Sequence, residues 1–441
     1  MAPRLLAALG LALALVLGGC TWSREEPGLF RVRSPSPTPA PDPEPPGPLP
    51  GAPLGNPELP VAGDLVWTTG EGARVTARFA VHALRRIPGA TILDYSVTPL
   101  QGPGLRPGDA LPGDVDFGLS RSAGQDPVIW LLDPRRGQVH RSLHHTSRRE
   151  FNHCLCTPLW AAQPLMRVGQ TRLLQAGFPA LPRGVGFLDV VLANQPPVVH
   201  VPVTPVGQVP TARVRVDLTR PPDPPRSAGS PLVFGSRPGD GQALGSLTVD
   251  RVVASPGSTA LQWTLRSTSE DLDYRRRPLG LPVVAPPAEG VELANALPVS
   301  GPTLSSGRSG PLPVSWMTAQ VVDRPAYECL CSDLGLWARS LDQPAGAAQL
   351  TSLYPPLPAG TQTVQVRAAG LAAVTVPVHR AADAAARLGP PTRSPGRSWV
   401  YSVRVPPLGW SPEEWPSPLP DPWQLVDYRG AVERVTALPH S

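Results

Sequence analysis

Cysteine and histidine residues cluster in the first half of the chain, with types and spacing that suit metal or redox chemistry. Cys154 and Cys156 are separated by one residue in the stretch REFNHCLCTPLW. Thiolate together with imidazole binds zinc or copper, whereas thiols in an exported protein form disulfides. The candidate ligands of a metal site are His144, His145, His153, Cys154 and Cys156.

A second pair of cysteines repeats this spacing in a segment that has no histidine. Cys329 and Cys331 lie in the stretch PAYECLCS. Residues two apart on a straight strand are about 6.6 Å from each other, so a disulfide between them requires a bulge or a turn. Since this copy lacks histidine, the shared role of the two pairs does not need a metal. We predict a local disulfide in each copy, Cys154 with Cys156 and Cys329 with Cys331, with free or redox-active thiols and a metal site as alternatives.

Both cysteine pairs belong to a longer internal repeat. The segment that runs from Cys154 through GFPALPRG to VVHVPV is echoed 175 residues later, from Cys329 through LYPPLPAG to AVTVPV. Upstream, PGATILDYSV is echoed by PGSTALQWTL. Ordered matches over about 120 residues indicate that one domain is present twice.

Short apolar runs bounded by glycine and proline predict strands in both copies. The clearest are RVTARFAVHAL, TILDYSV, PVIWLLD, TRLLQAGF and FLDVVLA in the first copy, and SLTVDRVVA, TALQWTL, PVSWMTAQVV and QTVQVRAA in the second. The best helical signal is AADAAARL, after the second copy. This pattern predicts an all-β fold with two tandem immunoglobulin-like β-sandwich domains, preceded by a signal peptide and a disordered proline-rich linker.

The beginning of the chain predicts export. MAPRLLAALGLALALVLGGC has a charged start, a short apolar run and small residues before a cysteine, as in a secretory signal peptide. The proline-rich stretch over 34–60 is typical of a semi-rigid spacer. The predicted organisation is a lipoprotein signal peptide over 1–19, a proline-rich tether over 20–62, a first repeat over 63–210, a second repeat over 211–385 and a tail rich in proline and tryptophan over 386–441.

Two stretches resemble known bacterial proteins. Leu17, Gly18, Gly19 and Cys20 resemble the lipobox of bacterial lipoproteins, which implies that Cys20 carries a diacylglyceryl group and palmitate-like acyl chains. Two acyl chains give lasting membrane attachment. The CLC, FPxxP and VPV segments are similar to immunoglobulin-like modules in envelope proteins of high-GC Gram-positive bacteria. This resemblance implies a location on the extracytoplasmic face of the cell membrane, but without an NxxLSxxRA stretch it does not imply peptidoglycan binding.

Charge and motif content argue against two other classes of function. All 39 basic residues are arginine and the net charge is +5, without a basic helix or an aromatic-basic motif, so nucleic-acid binding is not predicted. The sequence has no GxSxG, HExxH, P-loop or GxGxxG pattern. We therefore predict a protein that is not an enzyme and that takes no cofactor.

A basic, histidine-rich stretch from Pro134 to Glu150 is the predicted partner surface. Trp130 and Cys154 are 24 residues apart, whereas Trp316 and Cys329 are 13 apart, which predicts an insertion in the first copy. Loops on rigid platforms commonly bind partners, and its histidines would add positive charge below about pH 6.5. The candidate residues are Arg135, Arg136, His140, Arg141, His144, His145, Arg148 and Arg149.

These features together predict a non-catalytic, lipid-anchored protein of the cell envelope whose two modules serve interaction or structural support. Its expected partners are the membrane and an anionic envelope polymer or a protein, since a positive surface attracts acidic partners. The alternative function is a metal- or redox-handling extracytoplasmic lipoprotein that uses the histidine and cysteine cluster of the first copy.

Overall fold

The computed structural model describes residues 60–68, 74–87, 90–113, 115, 117, 128–142, 144–145, 153–154, 156–157, 159–192, 195–206, 208–220, 231–235, 243–267, 297–307, 309–321, 324–334, 346–393 and 432–436. Cys20, Arg148, Arg149 and the tryptophans of the tail lie outside the described residues. Within these ranges, no helix combines the length and the apolar character needed to cross a membrane.

The first lobe is built almost entirely from strands. These are β1 (Gly63–Thr68), β2 (Thr76–Ile87), β3 (Ala90–Gln101), β4 (Ile129–Asp133), β5 (Gln138–Arg141), β6 (His144–His145), β7 (His153–Cys154), β8 (Arg172–Pro179), β9 (Phe187–Leu192) and β10 (Val198–Thr204). A short helix α1 (Leu159–Ala162) and a 3-10 turn (Gln163–Leu165) precede β8. Strand β11 (Gln208–Ala212) follows the lobe.

The second lobe has the same kind of structure. Its strands are β12 (Leu232–Gly235), β13 (Ala243–Ala254), β14 (Thr259–Ser267), β15 (Thr303–Ser306), β16 (Ser309–Leu312), β17 (Trp316–Val321), β18 (Arg324–Cys329), β19 (Ala347–Tyr354), β20 (Thr363–Arg367) and β21 (Val374–Arg380). Helix α2 (Ala384–Arg387) and strands β22 (Leu388–Arg393) and β23 (Val432–Thr436) come after it. The predicted all-β class is confirmed, in the form of two multi-stranded sheets consistent with two β-sandwiches.

Strand pairing is the same in the two lobes. In the first, β3 lies antiparallel between β2 and β8, and β10 runs parallel to β2. In the second, β14 lies antiparallel between β13 and β19, and β21 runs parallel to β13. The pairs β4 with β9 and β15 with β20 also correspond. The two central ladders share a bulge, at His82 in β2 and at Asp250 in β13.

Each lobe has its own apolar core between the faces of its sheet. Strand alternation turns Phe79, Tyr95 and Phe178 inward in the first lobe, and Trp67 stacks on Phe79 with ring centroids 3.6 Å apart. In the second lobe the centre is formed by Trp263 and residues around it. Side chains of this size bury enough apolar area to stabilise each lobe.

The lobes contact each other through an apolar cluster that belongs to neither core. Its buried members are Trp130, Leu132, Val139 and Val191 from the first lobe and Ala260, Met317, Leu330 and Leu353 from the second. Strand β23 pairs with β5 and with β17, so one continuous sheet connects the lobes. At Gly257 an added Cβ atom would lie only 2.1 Å from Pro134 Cβ, so this close approach requires glycine.

The segment after the second lobe returns to the first. Strand β22 pairs with β11, and Ala384 and Leu388 are buried in the core of the first lobe. Asp383 caps α2, since its Oδ1 accepts a hydrogen bond from Ala385 N at 2.9 Å. As a result, β11 crosses the predicted boundary at residue 210 and α2 crosses the one at residue 385.

Candidate functional site

The second CLC segment is a buried local disulfide. Cys329 and Cys331 are joined with an S–S distance of 1.98 Å and a Cα–Cα distance of 5.1 Å. Strand β18 ends at Cys329, and Cys331 forms an isolated bridge with Ser352, so the backbone bends between the two cysteines. This confirms the predicted pair and its need for a departure from straight strand geometry. Both residues belong to the core of the second lobe, which gives the disulfide a structural role.

The first CLC segment occupies the corresponding place. Cys156 bridges Ala176, is buried in the core of the first lobe and is disulfide-bonded. The description of Cys154 is confined to its backbone, so the pairing of Cys154 with Cys156 stays a prediction. An oxidised Cys156 offers no thiolate to a metal. The alternative metal site therefore loses one of its five candidate ligands, and the side chains of the others lie outside the described part of the chain.

The predicted insertion in the first copy is wrong, because Trp130 and Trp316 are not equivalent. Trp130 lies in β4, whose counterpart is β15, since each pairs with the corresponding strand of its lobe. Trp316 begins β17, the counterpart of β6, since β17 and β6 each pair with the strand that leads into a CLC segment. The stretch 134–150 therefore contains a turn, β5 and β6, which are elements that both lobes possess.

The predicted partner surface is divided by the fold. Arg135 and Arg136 lie exposed in the turn after β4, where Arg136 Nη1 donates to Asp133 Oδ2 at 2.7 Å. Arg141 forms an ion pair with the buried Glu328 across the lobe contact. The side chains of His144 and His145 are not described.

Burial of His140 counts against the expectation that it gains charge on mild acidification. His140 is buried, and burial lowers the pKa of its imidazole, an effect that Asp133 only partly opposes. The imidazole therefore resists protonation near pH 6.5, because burial disfavours the charged form.

The structure brings a different set of residues together in a cleft between the lobes. The cleft has a volume of about 410 Å³ and is lined by β1, the segment before β10, β13, the end of β21 and α2. Pockets of this size accommodate small ligands. Its polar lining consists mainly of Asp64, Arg251, His379, Arg380 and Arg387.

Asp64 joins β1 to α2 at one wall of the cleft. Arg78 Nη2 lies 2.6 Å from Asp64 Oδ2, and Arg387 Nη1 lies 2.5 Å from Asp64 Oδ1. Burial works to raise the pKa of Asp64, but the hydrogen bonds and charges of Arg387 and Arg78 outweigh burial and hold the pKa below its usual value. Asp64 is therefore a carboxylate with two cationic partners.

Arg251 also lines the cleft, and a chain of side-chain amides fixes its position. Its Nε donates to Gln262 Oε1 at 2.5 Å, and Gln262 Nε2 donates to Gln195 Oε1 of the first lobe at 2.7 Å. Burial lowers the pKa of Arg251, which Asp250 partly offsets. Among the described residues, no carboxylate lies within ion-pair distance of Arg251.

Sequence reasoning missed this cleft because its residues are far apart along the chain. A signal was present at Asp250 and Arg251, which interrupt the apolar run SLTVDRVVA. Charges inside a strand of this kind either pair or serve a site. No comparable signal marks Asp64 or Arg387, whose approach depends on the return of α2 to the first lobe.

Comparison with known proteins found no match: no family model, curated protein or solved structure is similar to this chain.

Proposed function

We propose that this protein is a non-catalytic, lipid-anchored component of the cell envelope whose two immunoglobulin-like lobes act together as one binding unit. The observation that carries the binding role is the cleft of about 410 Å³ between two lobes that share an apolar contact. A cleft at a domain interface is a common place for a ligand. We therefore propose the cleft, and not the stretch 134–150, as the site that binds the partner.

The start of the sequence supports the location. The lipobox-like residues up to Cys20 and the proline-rich tether would hold the lobes outside the membrane. The buried Cys329–Cys331 disulfide agrees with an oxidising compartment, where such bonds persist. We do not propose the metal- or redox-handling alternative, because the disulfides at Cys156 and Cys329 lie in the cores.

The location is tested by replacing the acylated sulfur. In Cys20→Ser the thioether to the lipid cannot form, so we expect the protein to leave the membrane fraction or to remain as uncleaved precursor. Cell fractionation with immunoblotting and intact mass measurement separates these forms. Ser23→Ala is the matched control and should behave as the wild type. A Cys20→Ser protein that is processed normally and stays with the membrane would reject the lipid anchor.

A further inference from the structure

The cleft between the lobes holds more positive than negative charge. Among the described residues that line it, the guanidinium groups of Arg251, Arg380 and Arg387 face one carboxylate, that of Asp64. Asp64 is also bonded to Arg78 through Arg78 Nε at 2.9 Å, so its negative charge is shared between two arginines. A concave site with uncompensated positive charge attracts anions.

Arg251 is positioned for a ligand by contacts that leave its terminal nitrogens available. The bond from its Nε to Gln262 fixes the plane of the guanidinium group. Its Nη groups have no hydrogen-bond partner within the described chain. Two parallel N–H groups of an arginine match the oxygens of a carboxylate or phosphate. Because Arg251 is already partly removed from water, an anion that paired with it would also relieve the cost of burying its charge.

Arg380 extends the positive surface to the mouth of the cleft. It is exposed, and its Nη2 donates to Thr361 O at 3.3 Å. Apolar residues, among them Pro196, Pro197 and Val253, also line the cleft. The cleft thus combines charged side chains with apolar surface that can contact the uncharged body of a ligand.

We infer that the cleft binds an oxyanion, the phosphate or carboxylate group of a small molecule or a polymer segment, with Arg251 as its principal contact and Arg380 at the entrance. This inference rests on the proposed binding function and deepens it by naming the chemistry of the ligand. Phosphate-bearing and carboxylate-bearing probes distinguish the two kinds of oxyanion.

Calorimetric titration of the purified full-length protein tests the inference. The probes are inorganic phosphate, glycerol 3-phosphate and glucuronate at low ionic strength. We expect at least one to bind with a Kd of about 1 mM or lower, and the affinity to fall as sodium chloride is added. Binding of the two phosphates alone assigns a phosphate-bearing ligand, and binding of glucuronate alone assigns a carboxylate. No heat of binding from any probe overturns the inference.

Arginine variants locate the bound probe. Arg251→Gln should raise the Kd at least about tenfold, since a hydrogen bond to a charged group is lost. Arg380→Gln should raise it about threefold, because an exposed charge contributes less. Arg367→Gln removes the same charge from the exposed face of β20 and should leave the Kd unchanged.

The test also has an outcome if the Arg251→Gln variant does not fold. If circular dichroism shows that Arg251→Gln is not folded, Arg251→Lys and Arg380→Gln replace it, and an unchanged Kd in both overturns the inference. If no probe binds but the Cys20→Ser substitution still releases the protein from the membrane, only the oxyanion site in the cleft is rejected. If a probe binds but the Cys20→Ser substitution does not change the location of the protein, only the lipid anchor is rejected.

Discussion

At the residue scale, the two lobes place different ionisable side chains at the same bulge. His82 Nδ1 donates to Pro60 O at 2.9 Å and Nε2 accepts from Ser96 Oγ at 2.8 Å; burial lowers its pKa to about 4. The counterpart Asp250 accepts from Thr264 Oγ1 at 2.8 Å, and burial raises its pKa to about 6. At neutral pH the first lobe therefore holds an uncharged imidazole where the second holds a buried carboxylate.

Replacing the carboxylate at this bulge should stabilise the protein near neutral pH. The pKa of Asp250 is raised in the folded state, so the folded protein binds the proton more tightly and loses stability as the pH rises from about 4 through about 6. Asp250→Asn removes this loss and keeps an oxygen for Thr264. We expect its free energy of unfolding at pH 7.5 to exceed the wild-type value by roughly 1 to 3 kcal/mol, with little difference at pH 4.

Urea unfolding at pH 4, 5.5 and 7.5 measures the effect. Asp109→Asn, in an exposed turn, is the control and should follow the wild type at each pH. A stability gain for Asp250→Asn that is the same at pH 4 and pH 7.5 would show that ionisation of Asp250 is not its cause.

At the element scale, the hairpin of β17 and β18 contributes to the core of its own lobe and to the contact with the other lobe. It ends in the Cys329–Cys331 disulfide of its own lobe, and it carries Glu328, which meets Arg141 of β5 across the lobe contact. Strand β23 lies between β17 and β5. The hairpin therefore couples the core of the second lobe to the sheet of the first.

The ion pair at this junction should matter more than one on the surface. Removing one partner of a buried ion pair takes away a counterion of the other charge and costs on the order of 3 kcal/mol. We expect Arg141→Gln to lower the free energy of unfolding by about that amount. Arg141→Met combined with Glu328→Leu should be less destabilising than Arg141→Gln, since no charge remains buried.

Denaturant unfolding of the wild type, of Arg141→Gln and of the double variant Arg141→Met with Glu328→Leu provides this comparison. Arg135→Gln is the matched control, because Arg135 is exposed in the turn beside β5. Equal stabilities of Arg141→Gln and Arg135→Gln would contradict a stabilising role for the pair.

The sequence suffices to predict the long, apolar strands of this fold but not how the strands are arranged in space. Alternation of apolar residues in TARFAVHALRRI and TALQWTLRS suffices to predict β2 and β14, because successive side chains of a strand point to opposite faces of the sheet. Strands such as β15, TLSS, and β16, SGPL, are short and polar, so no pattern marks them. This gap made Trp316 look equivalent to Trp130. The cleft was out of reach because it forms only where separate strands and α2 meet.

At the scale of the whole molecule, the apolar contact should make the two lobes unfold together. Ala260 is completely buried in the contact and lies outside the core of its own lobe. A charge at this position would be buried without a partner, which costs on the order of 3 kcal/mol or more. We expect one calorimetric transition for the wild type and two for Ala260→Glu.

Thr363→Glu provides the control, since Thr363 is exposed on β20 of the same lobe. It should keep a single transition. A single, unshifted transition in Ala260→Glu would mean that the contact contributes little to cooperativity.

The way the lobes meet also bears on self-assembly. The two faces in contact differ, so the arrangement is head to tail, and such an arrangement can in principle add unit after unit into a fibre. A third unit would need apolar residues at the second lobe's counterparts of Trp130, Leu132 and Val191. Strand register places Thr303, Ser305 and Arg367 there instead. The series therefore terminates after two units, and copies crowded at high density would not polymerise through their repeated domain.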